Sequence, residues 1–321
     1  MALILITGAA GFIGSHLAER LLARGDRVLG LDNFDPFYPR EDKERNLAGP
    51  KAHSGFTFVE ADLCDAPAMA GLLERYRPQR IVHLAAKAGV LPSLQDPAAY
   101  VEANVHGTLN LLVACQRFPV EHFVFASSSS VYGNDVKAAC TEESPSDSPA
   151  SPYGATKKAG EVLCFTYHQL LKIPVACLRL FTVYGPRQRP DLAIHKFVRL
   201  LEEGKQVPFF GDGTSRRDYT FIEDTVDGIT AALDRPDGYQ IYNLGCGNSV
   251  TLAEMLATVE RALGKKAVLD RQPDQPGDVR TTWADISKAK TRLGYQPKVQ
   301  MEEGVKRFLA WWRETGGAPG I

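Results

Sequence analysis

Between the apolar run Leu3-Ile4-Leu5-Ile6 and an amphipathic stretch that begins at Phe12 lies the segment Gly8-Ala9-Ala10-Gly11-Phe12-Ile13-Gly14. Few folds accommodate glycines spaced in this way. The run reads as a buried parallel strand, and the stretch reads as a helix with Ile13, Leu17 and Leu21 on one face. Gly8 permits a tight turn, Gly11 lets a ligand approach the backbone, and Gly14 lets the helix pack closely on the strand. The helix N-terminus then offers free N–H groups to phosphate charge. The spacing differs from the commoner Gly-x-Gly-x-x-Gly, but its physical use is the same: a cradle for a dinucleotide. The bland alternative is a glycine turn that only packs.

The same alternation of strand and helix continues downstream. Strands are expected at residues 3–7, 27–31, 56–60, 80–84, 122–126 and 175–180, and helices at 12–23, 67–76, 98–118 and 153–171. This order implies an α/β fold, a Rossmann-type doubly wound parallel sheet with helices on both faces. After Leu180 the pattern loosens around Pro186, Pro190, Pro208 and the turn Gly211-Asp212-Gly213. Helices are expected at 222–233, 252–263 and 301–315, and a strand at 241–244 that returns to the first sheet. Residues 1–180, with a returning segment near 219–245, therefore form the dinucleotide domain. Residues 181–321 form a smaller interleaved α/β domain for the substrate, and 316–321 a frayed tail.

Charge excludes some partners. The 37 Lys and Arg nearly cancel the 38 Asp and Glu, so no broad basic face recruits nucleic acid or an anionic membrane. The opening apolar run is too short for a membrane span or a signal peptide. Cys64, Cys115, Cys140, Cys164, Cys177 and Cys246 are scattered without paired spacing, as expected of reduced thiols in a cytoplasmic protein. No histidine cluster suggests a metal. His83 reads as a packed strand-end residue, and His16 and His168 as helix-surface residues.

Asp32 ends the second strand, where a carboxylate accepts hydrogen bonds from both hydroxyls of an adenosine ribose. It would repel a ribose phosphate, and no arginine stands immediately beside it, which favours NAD over NADP. Asp62, after the third strand, is placed for an adenine amino group. The alternative is two solvated strand-end aspartates. Tyr153 and Lys157 are four residues apart on an expected helix and share a face. A free phenol titrates near pH ~10, but a neighbouring ammonium and a positive nicotinamide ring both favour phenolate. Ser128, at the end of the fifth strand, can bond the same substrate hydroxyl. The trio is an acid/base set for proton transfer, although Tyr-x-x-x-Lys alone also arises by chance in amphipathic helices.

With these residues in view, the chain resembles the extended short-chain dehydrogenases/reductases, the NAD-dependent sugar-nucleotide epimerases and dehydratases. The resemblance includes His83-Leu84-Ala85-Ala86, Asp96-Pro97 with Tyr100 and Asn104, Gly133 after Val131-Tyr132, the stretch from Gly211 through Arg217-Asp218-Tyr219, and Pro276-Gly277-Asp278-Val279-Arg280. It implies cofactor contacts from Phe12, Ile13, Asn33, Leu63, Lys87 and Asn104 besides the residues above. It implies a nucleoside-diphosphate sugar gripped by Arg217 and Arg280, with Ser128, Ser129 and Ser130 lining the sugar. It also implies a homodimer through helices 98–118 and 153–171, which carry enough apolar positions to pair with a second copy.

Two features narrow the expected substrate. Family dehydratases and decarboxylases resemble one another in an acidic residue just before Val/Leu-Tyr-Gly. Here Ser130 occupies that place, which favours simple epimerisation. The stretch Thr182-Val183-Tyr184-Gly185-Pro186-Arg187-Gln188-Arg189-Pro190-Asp191 is similar to the UDP-glucuronate 4-epimerase branch, as is Ala86-Lys87-Ala88-Gly89-Val90. The likeness implies that Thr182 and Arg189 hold a uronate carboxylate, so the expected substrate is a UDP-hexuronic acid. Leu91 departs from the arginine that the branch usually carries. The rivals are a neutral-sugar 4-epimerase, a decarboxylase or 4,6-dehydratase, and a non-enzymatic dinucleotide sensor. Arg189 has its own alternative, a surface ion pair with Asp191.

Overall fold

Alternating side chains of one strand feed two cores. In β1 (Leu3–Thr7), Ile4 and Ile6 enter one cluster and Leu5 the other, all three fully buried. The computed structural model describes residues 2–134, 138–275, 277 and 279–316. The parallel run continues through β2 (Arg27–Asp32), β3 (Phe56–Glu60), β4 (Arg80–His83), β5 (His122–Ser128) and β6 (Val175–Leu180). Every residue of β5 is buried, as a strand covered on both faces requires.

The connections are helical. They are α1 (Phe12–Ala23), α2 (Arg40–Lys51), α3 (Ala66–Tyr76), α4 (Val90–Gln95), α5 (Pro97–Val101), α6 (Gly107–Arg117) and α7 (Pro152–Leu171). Pro sits in the first turn of α3, α5 and α7, where its missing N–H costs nothing. A side chain on Gly160 would lie 2.3 Å from the ring of Phe125, so this glycine lets α7 approach β5 closely.

Beyond β6 come β7 (Thr182–Tyr184), α8 (Ala193–Glu202), β8 (Val207–Phe210), β9 (Arg216–Arg217), β10 (Tyr219–Phe221) and α9 (Ile222–Leu233). They are followed by β11 (Tyr239–Leu244), β12 (Val250–Thr251), α10 (Leu252–Leu263), β13 (Leu269–Gln272), α11 (Ser287–Leu293) and α12 (Met301–Glu314). The main sheet has the order β3-β2-β1-β4-β5-β6-β11, all parallel. Strand order reverses between β1 and β4, which opens a crevice at their carboxyl ends. Three short pairs, β7 with β10, β8 with β13 and β9 with β12, lie outside the main sheet.

Several expectations shift. The stretch 98–118 is not one α-helix: a π turn at Glu102–His106 separates α5 from α6. The turn carries Asn104, whose amide bridges to Lys87 and Thr156, and such widened turns let one side chain leave the regular ladder. β5 runs two residues further than expected, to Ser128, and β4 ends at His83. Four helices were not expected: α2, α8 and the short α4 and α11. α2 lacks an apolar stripe; α8 has one, with Ile194, Phe197, Val198 and Leu201 buried. The return of 241–244 to the first sheet is observed as β11 against β6. His16 and His168 are half-buried and bonded to the carbonyls of Pro186 and Ile173, not free on helix surfaces. Burial and the charge of Arg187 push His16 down to about 4. The tail 317–321, and Pro276 and Asp278 of the quoted motif, lie outside the described residues.

Candidate active site

The glycine turn is built as its spacing demands. Gly8 has φ of +71°, and a side chain there would meet the backbone nitrogen of Ala85 at 2.9 Å. A side chain on Gly14 would lie 2.1 Å from the carbonyl oxygen of Gly8. The carbonyl of Gly8 accepts from the N–H of Gly11, the N-cap of α1, and Phe12 and Ile13 form the helix's first turn. The cradle fits a dinucleotide: backbone is exposed where a Cβ would intrude, at a helix N-terminus beside a strand-end carboxylate.

That carboxylate, Asp32, is 7% exposed. Oδ2 accepts from Ala10 N–H at 3.1 Å and Oδ1 from Phe34 N–H at 2.9 Å. Burial pushes its pKa up, while Lys43 and the two backbone donors oppose the shift. Lys43 was missed in the sequence. Its Nζ lies 3.9 Å from Asp32 Oδ1 and donates to Asp35 O at 2.8 Å. Three residues further along α2, Asn46 donates to Ala10 O at 3.0 Å, so one face of α2 braces the turn. The only signal was the i, i+3 spacing of Lys43 and Asn46 in a polar segment.

The other residues expected at the cofactor are tied to one another and to neighbouring loops by hydrogen bonds. Asn33 donates to Asp62 Oδ2 at 2.8 Å, and Asp62 Oδ1 accepts from Cys64 N–H. Leu63 is buried, and its carbonyl accepts from Asn110 at 2.9 Å. Lys87 Nζ meets Asp35 Oδ2 at 2.8 Å, joining the loop after β4 to the loop after β2.

Ser128, Tyr153 and Lys157 come together at the carboxyl end of β5. Ser128 lies close enough to Tyr153 to bear on its titration. Lys157 Nζ donates to Ala126 O at 2.7 Å, and burial pushes the ammonium down to about 8. Burial raises the Tyr153 pKa; the Ser128 hydroxyl and the charge of Arg189 act against it. Tyr100 packs edge-on against Tyr153, ring centroids 6.2 Å apart. Ser129 and Ser130 open a 3-10 turn capped by Ser128, whose Oγ accepts from Ser130 N–H and donates to Ser130 Oγ at 3.2 Å.

Arg189 is brought to this group from the segment after β7. It does form the pair with Asp191 that the alternative anticipated, Nε to Oδ1 at 2.9 Å and Nη2 to Oδ2 at 2.8 Å. The pair is not on an open surface. The Arg189 side chain is 18% exposed, lies 5.0 Å from the centroid of Phe37, and faces Tyr153 closely enough to bear on its titration. Thr182 begins β7, half-buried, with its N–H on Asp218 O. Arg217 donates to the carbonyl of exposed Arg280 at 3.5 Å, so the two arginines stand side by side. Leu91 sits half-buried in α4.

A family model described as GDP-mannose 4,6 dehydratase matches residues 5–308. The chain is 42% identical to a UDP-glucuronate 4-epimerase of Thermodesulfobacterium geofontis, over 98% of this chain and 97% of that protein. A crystal structure of the UDP-glucuronic acid 4-epimerase of Bacillus cereus in complex with UDP-glucuronic acid and NAD superposes with a TM-score of 0.93 at 38% identity, covering 98% of this chain and 99% of that one. The UDP-glucose 4-epimerase of Thermotoga maritima with UDP-glucose gives a TM-score of 0.90 at 32% identity, with 98% and 99% covered.

Proposed function

The chain belongs to the GDP-mannose 4,6 dehydratase family, within the extended short-chain dehydrogenases/reductases, and from that premise we propose that it is an NAD-dependent UDP-glucuronate 4-epimerase, interconverting UDP-glucuronate and UDP-galacturonate. The observation that carries this reading is a half-buried arginine, Arg189, whose charge bears on Tyr153 of the Ser128/Tyr153/Lys157 group in a chain 42% identical to a protein of that activity. Residues 1–180 with the segment 219–245 hold the cofactor, and 181–321 the UDP-sugar.

NAD, when bound, supplies a hydride acceptor that takes the C4 hydrogen and gives it back to the opposite face. Gly8, Gly11, Gly14, Asp32 and Lys43 are the residues that would hold it. Tyr153 takes the C4 hydroxyl proton and later returns it. Ser128 holds the same hydroxyl, and Lys157 and Arg189 favour the phenolate. Arg217 and Arg280 grip the diphosphate. The sugar intermediate is a 4-keto uronate, a β-keto acid prone to lose carbon dioxide. Thr182 and Arg189 hold its carboxylate out of the geometry that breaks the C–C bond. Ser130, where family dehydratases and decarboxylases carry an acid, argues against either of those as the main reaction.

One observation favours a neutral-sugar 4-epimerase instead: Arg189 is already matched by Asp191, which lessens its need for a substrate carboxylate. NMR of the purified protein with UDP-glucuronate, UDP-glucose and UDP-N-acetylglucosamine in turn decides. Inversion at C4 of UDP-glucuronate alone supports the reading; inversion of the neutral sugars alone overturns it.

The assembly is a homodimer through α6 and α7. Val162, Phe165 and Leu170 on α7 and Val113 on α6 are exposed apolar side chains on these helices, which suits a second copy better than water. Sedimentation should give a dimer, and Val162→Glu with Phe165→Glu a monomer. A monomeric parent protein would remove this assembly. Among the described residues no helix is long and apolar enough to cross a membrane.

A further inference from the structure

Three consecutive residues at the end of β5 meet three residues of α7 at four-residue spacing. Ala126 O accepts from Lys157 Nζ at 2.7 Å, Ser127 Oγ donates to Glu161 Oε1 at 2.6 Å, and Ser128 faces Tyr153 closely enough to bear on its titration. Tyr153, Lys157 and Glu161 thus share one helix face, and only the third has no part in the proton transfer described above. Glu161 and Arg179 of β6 are each 1% exposed. Arg179 meets the carboxylate with Nε to Oε1 at 2.8 Å and Nη2 to Oε2 at 2.9 Å. The sheet register sets Arg179 beside Ser127, so one guanidinium ties β6, β5 and α7 together. Its other donors go to Glu142 O at 3.2 Å and Ser146 Oγ at 3.4 Å.

We propose that Arg179 and Glu161 are positioning residues for proton transfer: Arg179 neutralises Glu161, so that Lys157 stays on Ala126 O and faces Tyr153. This rests on the reading of Tyr153 as the acid/base. Without Arg179, Glu161 would be a buried carboxylate left with only the Ser127 hydroxyl and the shared Lys158 ammonium, at the i+4 position from Lys157, the spacing at which an ammonium and a carboxylate meet on a helix. The ammonium would turn back along α7, away from the phenol, and the carboxylate's charge would itself disfavour phenolate.

Other groups face this region. Arg189 and Tyr100 face Tyr153, and His83, kept neutral, faces Lys157 from β4. Lys158 lies 3.7 Å from Glu161 Oε2, but its ammonium is shared with Asp147 at 3.9 Å and Ser146 at 2.7 Å. From β11, Tyr239 gives its hydroxyl to the Glu161 carbonyl, and the thiols of Cys164 and Cys177 lie close by. Among these, Arg179 alone grips the carboxylate with two bonds.

The test is the pH dependence of kcat on UDP-glucuronate for the holoenzyme and for Arg179→Met, Glu161→Gln, Arg179→Lys and the double variant Arg179→Met/Glu161→Gln. Eight helical residues separate Tyr153 from Glu161 by about 12 Å. At an effective dielectric of about 20, one unmatched charge at that distance is worth about one pH unit on the acid limb. Arg179→Met should move the limb up by about that much, Glu161→Gln should move it down, and the double variant and Arg179→Lys should keep it near the parent position. Loss of kcat with unmoved limbs, or a double variant displaced like Arg179→Met, would overturn the proposal and leave a packing role only. Should Arg179→Met fail to fold, the downward shift in Glu161→Gln and its absence in Arg179→Lys make the same decision. If the parent protein epimerises UDP-glucose and not UDP-glucuronate, the substrate reading falls, yet the same profiles on UDP-glucose still decide this one.

Discussion

Arg189 and Asp191 form a two-pronged ion pair, 2.9 and 2.8 Å, whose cation bears on the Tyr153 phenol. In the function proposed above, this cation holds the uronate carboxylate. Arg189→Ala should therefore weaken UDP-glucuronate far more than UDP-glucose. A lost charge-assisted hydrogen bond is worth about 1.5–3 kcal/mol, or roughly ten- to a hundredfold in KM. UDP-pentose should rise among the products as the carboxylate turns free. Steady-state kinetics on both sugars provide the check; equal losses would mean that the guanidinium serves Asp191 and the phenol but not the substrate.

Tyr153→Phe removes the proton carrier and keeps the ring that packs against Tyr100. Turnover should fall by a factor of about a hundred to ten thousand, while NAD binding, followed by calorimetry, stays near the parent value. A variant with near-normal turnover would assign the proton to another group.

In the proposed cofactor site, Asp32 and Lys43 stand at the adenosine end. Asp32→Ala should lower the affinity for NAD roughly tenfold through the lost ribose bonds and leave Lys43 an unmatched cation, so the preference for NAD over NADP should shrink or reverse. Binding of the two cofactors to the parent and the variant would test this. An unchanged ratio places the ribose elsewhere.

His83 bridges Thr7 Oγ1 at 2.7 Å and Thr108 Oγ1 at 2.9 Å, and burial pushes it down to about 3. The unfolded chain binds this proton below pH ~6.5, whereas the folded chain binds it only near the lowered value. Stability therefore falls as pH falls from about 6.5 toward 3, by up to about 1.4 kcal/mol per pH unit for this one group. His16, pushed down to about 4, adds to the slope over part of that range. Urea midpoints measured from pH 7 to 4.5 should show His83→Gln less stable at pH 7 but with a shallower decline. An equal slope would assign the acid sensitivity to other groups.

The glycine turn, Asp32, and the Tyr153/Lys157 spacing were legible in the sequence because each is a local requirement. A positive φ, a strand-end carboxylate and a four-residue helical repeat are properties of a few neighbouring residues. The alternation of apolar runs likewise specifies a parallel sheet, since a strand buried on both faces needs apolar side chains on both. Helix α8 has an apolar stripe that the sequence reading passed over. α2 has none: its polar side chains carry out tertiary tasks, bracing Ala10 and matching Asp32, and leave no periodic trace.

What the tertiary structure alone decided is which distant charges meet. Arg179 and Glu161 come from β6 and α7, Lys43 reaches Asp32 from the next helix, and Arg189 reaches Tyr153 from the far side of the crevice. Strand pairing and helix packing bring such groups within a few ångströms, and burial then magnifies every charge they carry. The sequence by itself determined the parallel strands of the first sheet, most of the helices that join them and the chemistry each can offer. The order β3-β2-β1-β4-β5-β6-β11 determined which of those chemistries share a site, because sequence separation says nothing about distance once a sheet reverses its strand order.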